Sequence, residues 1–129
     1  MTERGRLDPF EAVLEFHRAF GVSVGASPSL PTNEIAALRR TLMEEELAET
    51  TEAMTAGDLV AISDGLADLL YVVYGTAISY GIDIRPIFEE VHRSNMTKVG
   101  GRTRADGKVL KPEGWEPPSL EPILRDMKL

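Results

Sequence analysis

Met43-Glu44-Glu45-Glu46-Leu47-Ala48-Glu49 is the stretch on which the reading of the chain turns. It sets glutamates among good helix formers, with no glycine, proline or β-branched residue to interrupt a helix. Placed at about 100° per residue, Glu46 and Glu49 fall in the sector that holds Ile35, Leu38, Leu42 and Ala53. Glu45 borders that sector and Glu44 points away from it. A charge run on a helix is ordinarily a solvated face. Here two carboxylates continue an apolar stripe, where unpaired charge is costly and a bound cation removes the cost.

A second acidic segment, Asp64-Gly65-Leu66-Ala67-Asp68, follows after one short break at Gly57-Asp58. A connection this short makes the flanking helices antiparallel neighbours. From Gly65 to Ile82 the only charge is Asp68, so this helix reads as a buried core helix and not as a membrane span. A buried carboxylate needs a partner. For Asp68 that partner is either Arg39 or Arg40, or a cation shared with the glutamates of the preceding helix.

Working outward, the first helix spans Pro9 to Phe20. Asp8 is its N-cap, Glu11 completes a capping box, and Phe10, Val13, Phe16 and Phe20 form its stripe. His17 lies beside the stripe and is assigned no role. Gly21 to Pro31 is a loop rich in Gly, Ser and Pro. The second helix starts after Thr32 or Asn33 and runs to about Thr55; the third runs from the Asp58 cap to about Tyr80. Asp83 can cap a fourth, whose stripe of Ile84, Ile87, Phe88 and Val91 continues into Asn95 and Lys98. Asp106-Gly107-Lys108 can turn a hairpin. Leu120, Ile123, Leu124 and Met127 mark a short final helix. The fold class expected is therefore all-α: a four-helix bundle core with a Gly/Pro-rich basic C-terminal segment, in one domain spanning 1–129.

Composition narrows the chemistry. The chain has 129 residues, no cysteine and two histidines, so a thiolate site is impossible and a histidine-rich zinc site improbable. Oxygen ligands favour Mg²⁺ or Mn²⁺. A net charge of −7 argues against general nucleic-acid binding. Yet Lys98, Arg102, Arg104, Lys108 and Lys111 cluster against Asp106 alone, a segment suited to phosphate. Asn95 can read a base or sugar edge and Lys98 can neutralise phosphate. Trp115 either stacks on a base or anchors its own loop. The N-terminus shows no leader pattern, and a cytoplasmic location is expected.

Glu45-Glu46-Leu47-Ala48-Glu49 resembles the EExxE motif of the MazG-like all-α nucleoside triphosphate pyrophosphohydrolases, a superfamily with dimeric dUTPase and phosphoribosyl-ATP pyrophosphohydrolase. Asp68 matches the aspartate of the second family motif, ExxD. Phe16-His17, Leu66 to Val72, Glu90 to Lys98 and Asp106 to Trp115 resemble one small subgroup. The resemblance implies hydrolysis of a nucleoside triphosphate to monophosphate and pyrophosphate, in a homodimer or higher assembly. It implies Mg²⁺ on Glu46, Glu49 and Asp68, with Glu45 assisting as base, and nucleotide or phosphate on Asn95, Lys98 and Lys111. Substrates such as dUTP or dCTP follow by analogy. Gly65 stands where ExxD begins with glutamate. Either Asp64, one turn before Asp68, replaces that carboxylate, or the site is weakened and the chain is a nucleotide- and metal-binding module with little turnover.

Overall fold

A computed structural model of the chain describes residues 5–129; residues 1–4, where the leader reading begins, lie outside them. The fold is all-α. Among the described residues there are five helices: α1 (Pro9–Phe20), α2 (Asn33–Ala56), α3 (Leu59–Ser79), α4 (Ile84–Met96) and α5 (Glu121–Arg125). The only β feature among them is an isolated antiparallel bridge between Thr103 and Val109. The described residues divide into two compact units, residues 5–83 with 128–129, and residues 84–127.

In the first unit the helix ends are chemically specified. Asp8 accepts from the Glu11 amide, Thr32 from Ile35 and Asp58 from Ala61, each satisfying a donor that the first helical turn leaves free. Gly57, at φ 66°, ends α2 in the left-handed conformation that favours glycine, and α3 starts two residues later. The 21–31 loop is tied to the end of α3 by Gly25 N–H to the Ile78 carbonyl and Ser29 N–H to the Tyr80 carbonyl.

The core of this unit differs from the expected stripes. On α1 the buried residues are Phe10, Val13, Leu14 and His17, a run at i, i+3, i+4 and i+7, whereas Phe16 is partly exposed and Phe20 is 72% exposed. On α2 they are Arg39, Thr50 and Ala53, and Leu38 is exposed. The expectation that α3 is a buried core helix is corrected. Of its residues only Gly65, Gly75, Ala77, Ile78 and Ser79 are buried, while Leu59, Val60, Leu66, Leu70 and Val73 are exposed. The reason is geometric: α1 and α2 cover one side of an apolar cylinder and leave the other open. By length and composition α3 is also apolar enough to cross a membrane.

In the second unit, α4 buries Ile87 and Ser94, and Phe88, expected in the stripe, is 71% exposed. Ser94 takes the inward position that the projection assigned to Asn95; its hydroxyl donates to the Glu116 carbonyl at 2.6 Å. Arg93 binds both Glu90 and Glu116, and Glu90 accepts from the Ser119 amide, so the tail is held against α4. The expected hairpin forms. Gly107, at φ 95°, makes the turn, and Arg104 pairs with Asp106.

Candidate functional site

The site is set by the register of α2 against α3. Arg39 Nε donates to Thr76 Oγ1 at 3.2 Å and its Nη2 to the Val72 carbonyl at 3.0 Å. Toward the other end, a Cβ on Gly65 would lie 2.6 Å from Thr50 Oγ1 and 3.1 Å from Thr50 Cα. Thr50 and Arg39 are eleven residues apart, as are Gly65 and Thr76, so an antiparallel pairing holds over the whole interval. Glu46, seven residues past Arg39, therefore comes level with Leu69 and beside Asp68.

Glu46 is half-buried, and its Oε2 is closed off from solvent with no hydrogen-bond partner. Burial pushes its carboxyl above the usual range. Glu49, Asp68, Glu45 and Asp64 push it further, so carboxylates of both helices act on this one group. Its neighbours differ from expectation: Glu45, Glu49, Asp64 and Asp68 are all exposed. Asp68 is thus not a buried carboxylate, and it pairs with neither arginine, because Arg39 is turned to the Val72 carbonyl and Thr76 instead.

Among the described residues no three carboxylate or imidazole groups converge as a ready-made metal cage. The donor chemistry nonetheless fits a hard divalent cation. All five groups offer oxygen only, and the sealed Glu46 oxygen has no other partner. Glu49, Asp64 and Asp68 are exposed, and their charges act on the Glu46 carboxyl.

Gly65 has a packing reason. A Cβ at this position would meet the Thr50 hydroxyl at 2.6 Å and Thr50 Cα at 3.1 Å, so any side chain there, a glutamate included, requires Thr50 to shift. Asp64 is the carboxylate available next to it.

In the second unit Asn95, Met96, Lys98, Val99, Lys108 and Val109 line an open cleft of ≈ 450 Å³. The hairpin brings Lys108 to the end of α4, which sequence reading did not anticipate. Lys111 Nζ sits 4.4 Å from the Trp115 ring centroid, so one ring face already carries a cation. The Trp115 indole N–H is buried without a partner.

Sequence reading gave His17 no role and offered Arg39 only as a partner of Asp68. Both are at least 95% buried, and both reach the space that Gly75 leaves open. His17 Nδ1 lies 2.9 Å from the Ser23 carbonyl. Burial lowers the His17 pKa, the Ser23 contact opposes that, and the Arg39 charge adds to the lowering. The i, i+3, i+4, i+7 run from Phe10 to His17 was the available signal for His17's burial; nothing in the spacing signalled that Arg39 is buried against Val72 and Thr76.

Over residues 13–95 the chain matches the model of the phosphoribosyl-ATP pyrophosphohydrolase family. It is also 35% identical over 87 residues to an uncharacterized protein of Acanthamoeba polyphaga mimivirus, a match that covers 64% of this chain and 35% of the viral one. The chain thus spans about a third of the length of that relative. The matched range takes in both acidic segments and the whole of α2 and α3, and on that ground the chain belongs to the phosphoribosyl-ATP pyrophosphohydrolase family, a family of nucleotide pyrophosphohydrolases.

Proposed function

We propose that the chain hydrolyses a (deoxy)nucleoside triphosphate, of the dUTP or dCTP kind, to the monophosphate and pyrophosphate, with Mg²⁺ as cofactor and Mn²⁺ able to replace it. The observation that carries this reading is the unpartnered, solvent-sealed oxygen of Glu46 among carboxylates from two helices. A cation beside it converts a costly arrangement into a favourable one. When bound, such an ion neutralises phosphate charge and acidifies water.

Glu46, Glu49, Asp68 and Asp64 hold the ion, with Asp64 serving where Gly65 leaves no carboxylate. Glu45, exposed beside them, takes the proton of the attacking water. Asn95, Lys98 and Lys111 contact nucleotide or phosphate, and Trp115 supports that segment under Lys111. The open side of α3 is covered by a second copy of the chain, in keeping with its exposed Leu66, Leu70 and Val73.

The test is pyrophosphate release from a panel of nucleoside triphosphates with and without Mg²⁺. Turnover that needs the metal and vanishes in Glu46→Gln supports the reading. A second reading, motivated by Gly65, is a module that binds nucleotide and metal without turning over. It predicts that the wild-type chain binds a non-hydrolysable triphosphate while releasing no pyrophosphate from any of the panel.

A further inference from the structure

His17 stands in the last turn of α1 and ties that helix to the loop that follows it. Its Nδ1 lies 2.9 Å from the Ser23 carbonyl. A carbonyl oxygen only accepts, so in the neutral ring the proton sits on Nδ1 and Nε2 carries the lone pair. A proton taken up as pH falls therefore lands on Nε2. That atom and Arg39 Nη2 are each within 3 Å of the point that a Cβ on Gly75 would occupy. They are thus closer than the roughly 6 Å within which a like charge disfavours ionisation.

The surroundings offer the new charge no compensation. From α2 the ring meets the Arg39 guanidinium, itself buried. From α3 the Tyr71 side chain lines the same cavity, and from the loop comes the Ser23 carbonyl. None of these carries negative charge at neutral or mildly acidic pH. Arg39 is the more firmly fastened of the two cations. Its fork bonds to Thr76 and to Val72 on α3, whereas the His17 ring has the Ser23 contact. When the two charges compete for one buried space, the ring yields.

We propose that His17 is an acid-operated latch: protonation at Nε2, against Arg39, drives the ring off Ser23 and frees residues 21–24 from the end of α1. The Gly21 and Val22 amides both donate to the His17 carbonyl, so this turn loosens with the ring. Further along, Gly25 and Ser29 hold α3 through backbone bonds that do not titrate, which confines the release to the stretch before them. Val22 shares a cavity of ≈ 270 Å³ with Leu38, Leu42 and Val72, and the freed turn uncovers it. Burial first, and then the Arg39 charge, lower the His17 pKa against the opposing Ser23 contact. Stability carried by the neutral ring is therefore lost as pH falls through the unfolded value. This sign is opposite to that of the Glu46 carboxyl, so the latch is read locally and not from a global melt. It stands whether or not the chain is a hydrolase.

The experiment is nuclear magnetic resonance of the full chain between pH 8 and pH 4, in wild type, His17→Asn and Arg39→Met. It reads the imidazole signals and the exchange protection of the Gly21 and Val22 amides. Asparagine offers Ser23 an N–H group and does not titrate. In wild type His17 is expected to titrate below the ordinary value of about 6.5. Protection of Gly21 and Val22 should fall roughly tenfold or more across the same interval. The step should be missing in His17→Asn, and the His17 midpoint should rise in Arg39→Met. The latch is overturned by a His17 that titrates at or above the ordinary value, or not at all before the chain unfolds. Flat protection through the titration overturns it too, as does a step that persists in His17→Asn. Should His17→Asn fail to fold, the Arg39→Met midpoint decides, and an unchanged midpoint overturns the proposal.

Discussion

Thr50 and Gly65 touch backbone to side chain across α2 and α3, with the Thr50 hydroxyl turned back to accept nothing from α3 and to donate to the Glu46 carbonyl at 2.7 Å. This contact brings the two acidic segments to one level. It also gives the glycine a packing role in the helix pairing. In an unpacked helix, Gly→Ala stabilises by about 0.5–1 kcal/mol. Here the added methyl meets Thr50, and Gly65→Ala is expected to lose about 1–3 kcal/mol by overpacking. Thr50→Ala in the same chain should recover part of that loss, since it removes the hydroxyl but leaves Cα. Urea denaturation midpoints of the two variants check this; a stabilised Gly65→Ala contradicts the contact.

The same contact governs how the missing ExxD glutamate can be probed. Gly65→Glu introduces the clash along with the carboxylate, so reduced activity in that variant reports packing. Asp64→Asn is the cleaner substitution, because Asp64 is exposed and already contributes to the field at Glu46. If Asp64 supplies the carboxylate, Asp64→Asn weakens Mn²⁺ binding about tenfold with the urea midpoint unchanged.

Glu46 and Glu90 are expected to respond to pH with opposite signs. The Glu46 carboxyl is raised by burial and by its acidic neighbours. Its contribution is therefore fully present below the unfolded pKa and is lost as pH rises through the raised folded value. Metal-free protein should lose melting temperature on going from acidic to neutral pH. Glu46→Gln should flatten that slope, and Mn²⁺ should restore stability at neutral pH. Glu90 is lowered to about 2, first by its hydrogen bond from Arg93 and then by that from the Ser119 amide. Its contribution is present above the ordinary carboxylate range and is lost as pH falls toward about 2. Thermal melts across pH 2–8 of wild type, Glu46→Gln and Glu90→Gln separate the two.

The exposed side of α3 makes its own prediction. If a second copy covers it, Leu70→Lys, at a position 57% exposed in the single chain, should shift the assembly to monomer. Light scattering after gel filtration reads this directly. An unchanged mass distribution, whether monomer or larger, removes Leu70 from any such interface.

Helix boundaries were legible in the sequence because the caps are local chemistry. Asp8, Thr32 and Asp58 each hold an amide three residues on, and Gly57 ends α2 at positive φ. Which side of each helix is covered was less legible, because projection of hydrophobicity presumes that apolar residues face inward. On α2 the inward positions hold Arg39 and Thr50, which bond to α3 or to their own helix, and on α1 one of them holds His17. Asp68 was read as buried because its helix is apolar all round, whereas within this chain only part of that surface is covered. The grouping of Glu46 with Asp68 came through, since a short connection fixes an antiparallel neighbour. The cleft of Asn95, Lys98 and Lys108 depends on a hairpin returning to the end of α4, which spacing alone does not specify.

The central claim is that Glu46 and its acidic neighbours on α2 and α3 hold a divalent cation. Titration of the full chain with Mn²⁺, followed by electron paramagnetic resonance at neutral pH, tests it most directly. The account predicts stoichiometric loss of the free Mn²⁺ signal in wild type. It predicts binding weakened by about tenfold or more in Glu46→Gln, which keeps the shape and removes the charge. A wild-type chain that leaves the free Mn²⁺ signal unchanged, or a Glu46→Gln variant that binds equally well, contradicts it.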